Sequence, residues 1–514
     1  MVVGAHQLKF GGDYRVIFFD SSNFQHSVEL TPASIPDLVA TGAAALFSST
    51  VKPSELLSQA FSVYGQDTWK LNQRLTLVYG LRWEVGPAPS GRGSTILGAW
   101  SSLDNPSTLA LAPAGTPVWR TVYANVAPRL GIAYSLTADG KLVLHAGAGV
   151  FYDLGVGSAA DLATHYPNQA FGFASGVTLP VTDIAPFLPT ISLLPPYPVY
   201  VEGFSPNLST PRSYQWNVAI EKQIGGKQAL SFTYLGQAGR ELLRQEAFFQ
   251  PNASFSGDFL VTANSAFSNY HALQVQYRRH LSAGLQALAN YTWAHSLDNA
   301  SNDVVDGLPS NVISAASDYG NSDFDIRHTF SAAITYDIPG IRKGVLHAVS
   351  KDWTISSVVV ARTGFPFNLQ LFGTSPDPLG FATTRPDLVA GQSLWVGVST
   401  APGRQSVNAA AFSIPGTVRQ GTEPRNDIPG FGLTQIDLSL ARKFAVTDRI
   451  NVQFRADAFN LVNHPNFANP LGFLEFGPTY LSSTEMLNQA LGGLNPLFQQ
   501  GGPRSLQISL KLTF

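Results

Sequence analysis

Apolar and polar residues alternate one for one along much of this chain. From Leu75 to Val85, the residues Leu75, Leu77, Tyr79, Leu81 and Trp83 fall on one side, and Thr76, Gly80, Arg82 and Glu84 on the other. Successive side chains of a strand point to opposite faces, so this period of two predicts a strand with one greasy and one wet face. It forms the second arm of a hairpin, Phe61 to Val85, whose polar turn is Leu71-Asn72-Gln73. The same pattern returns in Ser213–Ile224, where Tyr214, Trp216, Val218 and Ile220 oppose Gln215, Asn217 and Glu221. In the last strand Leu506, Ile508, Leu510, Leu512 and Phe514 oppose Ser505, Gln507, Ser509, Lys511 and Thr513.

Taken in order, the strand signals are His6–Val16, Phe61–Lys70, Arg74–Val85, Ala127–Leu136, Lys141–Tyr152, Ser213–Ile224 and Gln228–Leu235. They continue as Phe267–His280, Leu285–Ser296, Arg327–Ile338, Asp352–Arg362, Leu433–Phe444, Arg449–Asn460 and Arg504–Phe514. That is about 14 strands of roughly ten residues, the length that crosses a bilayer at a tilt. Short turns such as Thr137-Ala138-Asp139-Gly140, Gly225-Gly226 and Val446-Thr447-Asp448 alternate with long Pro-, Gly- and Ser-rich segments. Gly86–Asn125 and Thr363–Gly432 are two of those. Tight turns on one rim and long loops on the other predict an all-β, antiparallel up-and-down transmembrane barrel of the outer-membrane type. Residues 1–514 are expected to form this one domain.

Composition separates a lipid-facing wall from a soluble sandwich, which alternates in the same way. Charged residues are 13% of the 514, about half the share usual in soluble proteins. Tyr79, Trp83, Tyr214, Trp216, Tyr291, Trp293, Tyr336 and Trp353 lie on strands, several near strand ends where interfacial girdles belong. A net charge of −2 gives no reason to expect nucleic acid as a partner, and the absence of cysteine excludes disulfides and thiolate sites. The N-terminus lacks a signal-peptide layout and is already in strand by His6.

Several stretches in order resemble the barrel portion of TonB-dependent receptors of the Oar-like type. They are HQLKFGGDYR (His6–Arg15), VYGQDTWKLNQRLTLVYGLRWE (Val63–Glu84), APRLGIAYSL (Ala127–Leu136), SYQWNVAIEKQI (Ser213–Ile224) and YHALQVQYRR (Tyr270–Arg279). YTWAHSLDNAS (Tyr291–Ser301), SDFDIRHTFSAAITYDIP (Ser322–Pro339) and FRADAFNLVNHPNF (Phe454–Phe467) follow. The resemblance implies a full barrel of about 22 strands with an N-terminal plug, so about 14 strands are expected to be its C-terminal part. It also implies a Gram-negative outer-membrane location, and an unknown extracellular ligand captured by the long loops. Recognition by the outer-membrane assembly machinery through the strand ending at Phe514 is implied too, as is coupling to the TonB system through an N-terminal portion. Such a part alone is expected not to perform energised transport. A structural or adhesive surface role is the alternative, and a secreted glycan-binding β protein a more distant one.

No catalytic, cofactor or metal site is expected. Asp323, Asp325, Arg327 and His328 in SDFDIRH could hold a metal or act as acid and base, but also read as a loop-to-strand corner with an Asp–Arg pair. His145 falls on the wet face of its strand. Gly147 and Gly149 beside it are followed by no helix and no GxxxxGK[ST]. Asn207, Asn252 and Asn299 open N-x-S sequons that read as chance loop composition.

Overall fold

The computed structural model describes residues 1–21, 25–32, 35–154, 161–301, 315–340, 350–374, 383–447, 449–487 and 501–514. Among these, fourteen strands form a meander in which each pairs antiparallel with the next. They are β1 (His6–Ser21), β2 (Ser54–Lys70), β3 (Leu75–Val85), β4 (Asn125–Ser135), β5 (Leu142–Tyr152), β6 (Arg212–Ile224) and β7 (Gln228–Phe248). The second half is β8 (Asp258–Ser282), β9 (Leu285–Asp298), β10 (His328–Asp337), β11 (Trp353–Arg362), β12 (Leu433–Ala445), β13 (Asn451–Phe459) and β14 (Ser505–Thr513). The alternation of long and short connections is therefore correct. Asp448, at the end of one expected turn, lies outside the described residues.

Register carries the alternation across the sheet. Leu77 stands opposite Ile132, which stands opposite Ala146, then Val218, Tyr234 and Leu273 on successive strands. One step along, Val78, Gly131, Gly147, Asn217, Leu235 and Ala272 line the other face. A slip of one residue in any pair would mix the two sets, so the pattern fixes the register. Leu81, Leu130, Phe232 and Trp293 of the apolar face are each about half exposed. Among the described residues, no second sheet or helix layer covers that face.

The buried hydrophobic clusters lie instead at the rim of the long loops. Leu56, Val118, Leu162, Phe204 and Leu243 form one; Trp100, Tyr166, Tyr197, Phe255 and Phe259 a second; Leu369, Val407, Phe412 and Ile428 a third. Trp100 packs on Phe259 with ring centroids 4.7 Å apart and edge-on to Tyr197 at 5.4 Å. Gly203 lies directly beneath the indole, where a Cβ would stand 2.3 Å from the ring. Truncating such an aromatic in a core costs about 3–5 kcal/mol, so these loops form a folded layer.

Four expectations change here. β7 and β8, with 21 and 25 residues, run well past the expected ends at Leu235 and Phe267. Their extra length pairs with itself beyond the wall, down to Phe248 opposite Phe259. The segment before Phe61, expected to be irregular, holds the last part of β1, the first part of β2, and strands Gln25–Thr31 and Ala43–Val51. It also holds a helix, Ile35–Thr41, where almost no helix was expected. The Gln25–Thr31 strand and the helix are largely exposed, and the strands pair locally.

β1 and β14 each have one neighbouring long strand, and no pairing joins them to each other among the described residues. On β14, Leu506, Ile508 and Leu510 are about three-quarters exposed.

Candidate functional site

The polar face gathers Gly80, Gly131, Gly147 and Gly149 on three adjacent strands, β3 to β5. Two of them, Gly147 and Gly149, line a recess of about 350 Å³ bordered by Arg129, Phe151, Gln215, Asn217, Gln237 and Tyr270. β4 supplies Arg129, β5 Phe151, β6 the first two amides, and β7 and β8 Gln237 and Tyr270. Gln215, Gln237 and Tyr270 stand in one row across three strands.

Arg129 lies with its guanidinium 4.4 Å from the Phe151 ring centroid. It makes no ion pair with a described residue, and its side chain is exposed within the recess. A Cβ at Gly149 would meet the Arg129 stem at 3.2 Å and the Phe151 ring at 3.3 Å, so glycine there leaves room for the stacked pair. The arrangement presents a planar cation, a ring face and amide dipoles to the interior. It suits a solute with negative charge and flat or polar groups. Single-strand patterning missed it, because Gly147, Gly149 and Arg129 meet the amides only once the register across β4 to β8 is known.

Above the recess, two loops are joined through buried charge. Asp318 accepts from Arg244 at 2.6 Å and from Arg385 at 2.9 Å, all three nearly excluded from water. Arg425 pairs with Asp298 at 2.5 Å and Asp323 at 2.9 Å. These contacts tie the β11–β12 connection to the β9–β10 connection. In another part of the layer His165 Nε2 lies 3.5 Å from Glu202. Burial pushes the His165 imidazole down to about 4 and the Glu202 carboxyl up. Both effects favour the neutral forms. Burial also pushes the Tyr166 phenol up to about 12 and the Glu423 carboxyl up to about 8.

The SDFDIRH residues occupy the corner where that loop enters β10. Asp325 is buried and accepts from the Ser296 backbone N–H at 2.7 Å and from Arg327 at 2.9 Å. Asp323 faces Arg425 and Asn426 instead, and His328 Nδ1 meets the Tyr291 hydroxyl at 2.8 Å. The four side chains thus divide among separate structural partners. Among the described residues no group of three His, Asp or Glu side chains is placed to hold a metal. His145 stands on the polar face between Ala133 and Ala219. Asn299, 2% exposed, uses its amide to hold Phe267, Ser265 and Ala315, and Asn252 bonds Pro106 and Leu109. Neither amide is presented to solvent as a glycan acceptor would be.

Comparison with known proteins accounts for the bare apolar face. No curated protein matches the chain. Among solved structures, the outer membrane transporter YddB from Escherichia coli superposes with a TM-score of 0.50 at 9% identity, covering 100% of this chain and 52% of that one. The FrpB iron transporter from Neisseria meningitidis gives 0.44 at 11% identity, covering 100% and 57%. The chain therefore spans about half the length of these transporters, and at such identities the likeness is one of fold. Residues 1–505 match the model of an outer membrane beta barrel domain. Lipid, then, is what lies against Leu81, Leu130 and Trp293, and a secreted soluble protein is set aside. The chain belongs to the outer membrane beta barrel domain family and resides in the Gram-negative outer membrane.

Proposed function

We propose that this chain forms wall and outer loops of a receptor for uptake of a bulky anionic solute, of the TonB-dependent kind that its sequence resembles. The observation that carries the reading is the recess at Arg129, a cation with no ion pair among the described residues, stacked on an aromatic ring on the polar inner face. Energy coupling would act through a plug and a coupling segment, as in the receptors that the sequence resembles. The fold shared with an outer membrane transporter supports the reading.

The solute is best described by chemistry: several negative charges with flat, hydrogen-bonding groups. Calorimetric titration of the chain in detergent with a trianionic ferric tris-catecholate, and with a neutral ferric tris-hydroxamate of similar size, tests this. The trianion should bind more tightly, and Arg129→Gln should remove the difference. Equal affinity for the two complexes in the native chain would sink the proposal.

A structural surface role has one observation in its favour. The hydrophobic clusters lie in the loop layer, which makes a firm outer face. Absence of binding to either complex, with the loop layer intact, would favour that role.

A further inference from the structure

Arg212 and Arg240 stand directly opposite each other on β6 and β7, at the long-loop end of the wall. Their side follows from the register. Arg212 lies an even number of residues from Val218, and Arg240 an even number from Tyr234, and Val218 and Tyr234 share the lipid-facing side. Like charges directly across a strand pair repel each other, more so beside lipid than in water. An anion placed between them turns that repulsion into attraction.

Neutral groups fix the direction of both guanidiniums. Arg212 Nε donates to the Tyr214 hydroxyl at 3.1 Å. Arg240 donates from Nη1 to the Gly239 and Ser268 carbonyls and from Nη2 to Asn269 Oδ1 at 2.9 Å. These acceptors orient the two cations without cancelling their charge. Among the described residues Glu241 alone brings a carboxylate within 4 Å of either, 3.7 Å from Arg212 Nη2. Two arginines and one glutamate leave a net positive charge. The Arg212 side chain is 32% exposed and Arg240 is partly exposed, so a ligand can reach both.

Position names the kind of anion. Tyr152 stands beside Arg212 on β5, and Tyr214 and Trp216 follow it down β6 on the same side. Aromatic residues there mark the membrane interface. The arginine pair lies two residues beyond Tyr214, roughly 7 Å at a rise of about 3.3 Å per residue. Short turns of outer-membrane barrels face the periplasm, so this end meets the headgroups of the outer leaflet. A phosphate that arrives from this side carries hydrocarbon with it, and the planar guanidinium matches phosphate oxygens.

We propose that Arg212 and Arg240 together bind a phosphate of an outer-leaflet lipid, with its acyl chains lying against Tyr214, Trp216 and Val218. The site rests on the membrane location alone and is independent of transport. Lipid A carrying its phosphates is the probe, and the same lipid stripped of them is the control.

The purified chain, released from mixed micelles of the two forms, should retain the phosphorylated one about tenfold better in native mass spectrometry, the worth of a charge-assisted hydrogen bond. Arg212→Gln and Arg240→Gln should each bring the preference close to unity. Lys222→Gln removes a cation from the same side of β6 at the short-turn end and should leave the preference unchanged. Heat-modifiable migration on gels verifies that the variants are folded, and Arg212, with no backbone acceptor, is the one whose loss disturbs the wall least. Inorganic phosphate at the concentration of the lipid should not displace it. Equal retention of the two forms by the native chain overturns the proposal, as does full preference in folded Arg212→Gln. An equal loss in Lys222→Gln would reduce the effect to overall charge, and displacement by inorganic phosphate would assign the pair to a free anion; either result also overturns it.

Discussion

Arg244 and Asp318 meet at 2.6 Å with both side chains almost wholly out of water, 74 residues apart in sequence. Arg385 reaches the other oxygen of the same carboxylate from a third segment of chain. One buried anion thus holds two buried cations, and exchanging Asp318 for a neutral group takes that anion away from both of them. Asp318→Asn should loosen the loop layer by about 3–5 kcal/mol, the cost of breaking a buried pair from one side. Limited proteolysis should then cut the loops while the heat-modifiable wall persists. Resistance equal to that of the native chain would mean that the loops are held by their apolar clusters alone.

Two buried groups give this layer a pH dependence of known sign. Glu423 is pushed up to about 8 by burial, with the Leu369 N–H and the Arg385 charge opposing the shift and Asp427 adding to it. Its folded form holds the proton more tightly than the unfolded form, so its contribution is full below about pH 4.5 and is lost as pH rises to about 8. His165, pushed down to about 4 by burial, works oppositely: its contribution is full above about pH 6.5 and is lost as pH falls to about 4. The two oppose each other between pH 4.5 and 6.5. Between 6.5 and 8 only Glu423 titrates of these two, and the layer should lose on the order of 2 kcal/mol there. Protease resistance should fall over that interval in the native chain and stay level in Glu423→Gln. An equal decline in both would assign the effect to other groups.

The wall makes a sharper demand. Leu81 is 53% exposed on the lipid side in mid-strand, Leu77 lies on the same side nearer the short turn, and Thr76 points inward. Leu81→Lys should cost about 2–4 kcal/mol, Leu77→Lys less because it lies nearer the interface, and Thr76→Lys close to nothing. Denaturant unfolding from lipid vesicles ranks the three. A Thr76 variant as damaging as the Leu81 variant would reverse the assignment of faces.

How much of this was legible in the sequence depends on the range of each interaction. Tyr214, Trp216, Val218 and Ile220 share a face because of a two-residue period, which any single strand displays. Strand order followed equally well, since short turns such as that at Gly225-Gly226 force neighbours to pair. The loop layer was not legible. Trp100 finds Phe259, and Arg425 finds Asp298, across more than a hundred residues of sequence. No local pattern announces such partners. The end of β7 was placed at Leu235, but Gly236 sits flat beneath the Trp216 indole and the ladder continues past it. SDFDIRH was recognisable as a corner with an Asp–Arg pair, which Asp325 and Arg327 form, while Asp323 bonds Arg425.

The recess at Arg129 supports a final prediction, which separates charge from shape. Arg129→Lys keeps the positive charge but loses the planar face that lies 4.4 Å from Phe151. Phe151→Leu keeps the guanidinium and removes the ring. If the pair works as a stacked unit, both variants should weaken binding of the trianionic catecholate by roughly two- to fivefold, the worth of an exposed cation–π contact. Both should still prefer the trianion over the neutral complex, which Arg129→Gln should not. Gly149→Ala should act like the two stacked-pair variants, because its methyl group must push aside the Arg129 stem or the Phe151 ring. Calorimetry of the four variants against both complexes reads these outcomes directly. Full affinity in Phe151→Leu and Gly149→Ala, with loss only in Arg129→Gln, would reduce the site to a point charge and leave the glycine floor without a role in recognition.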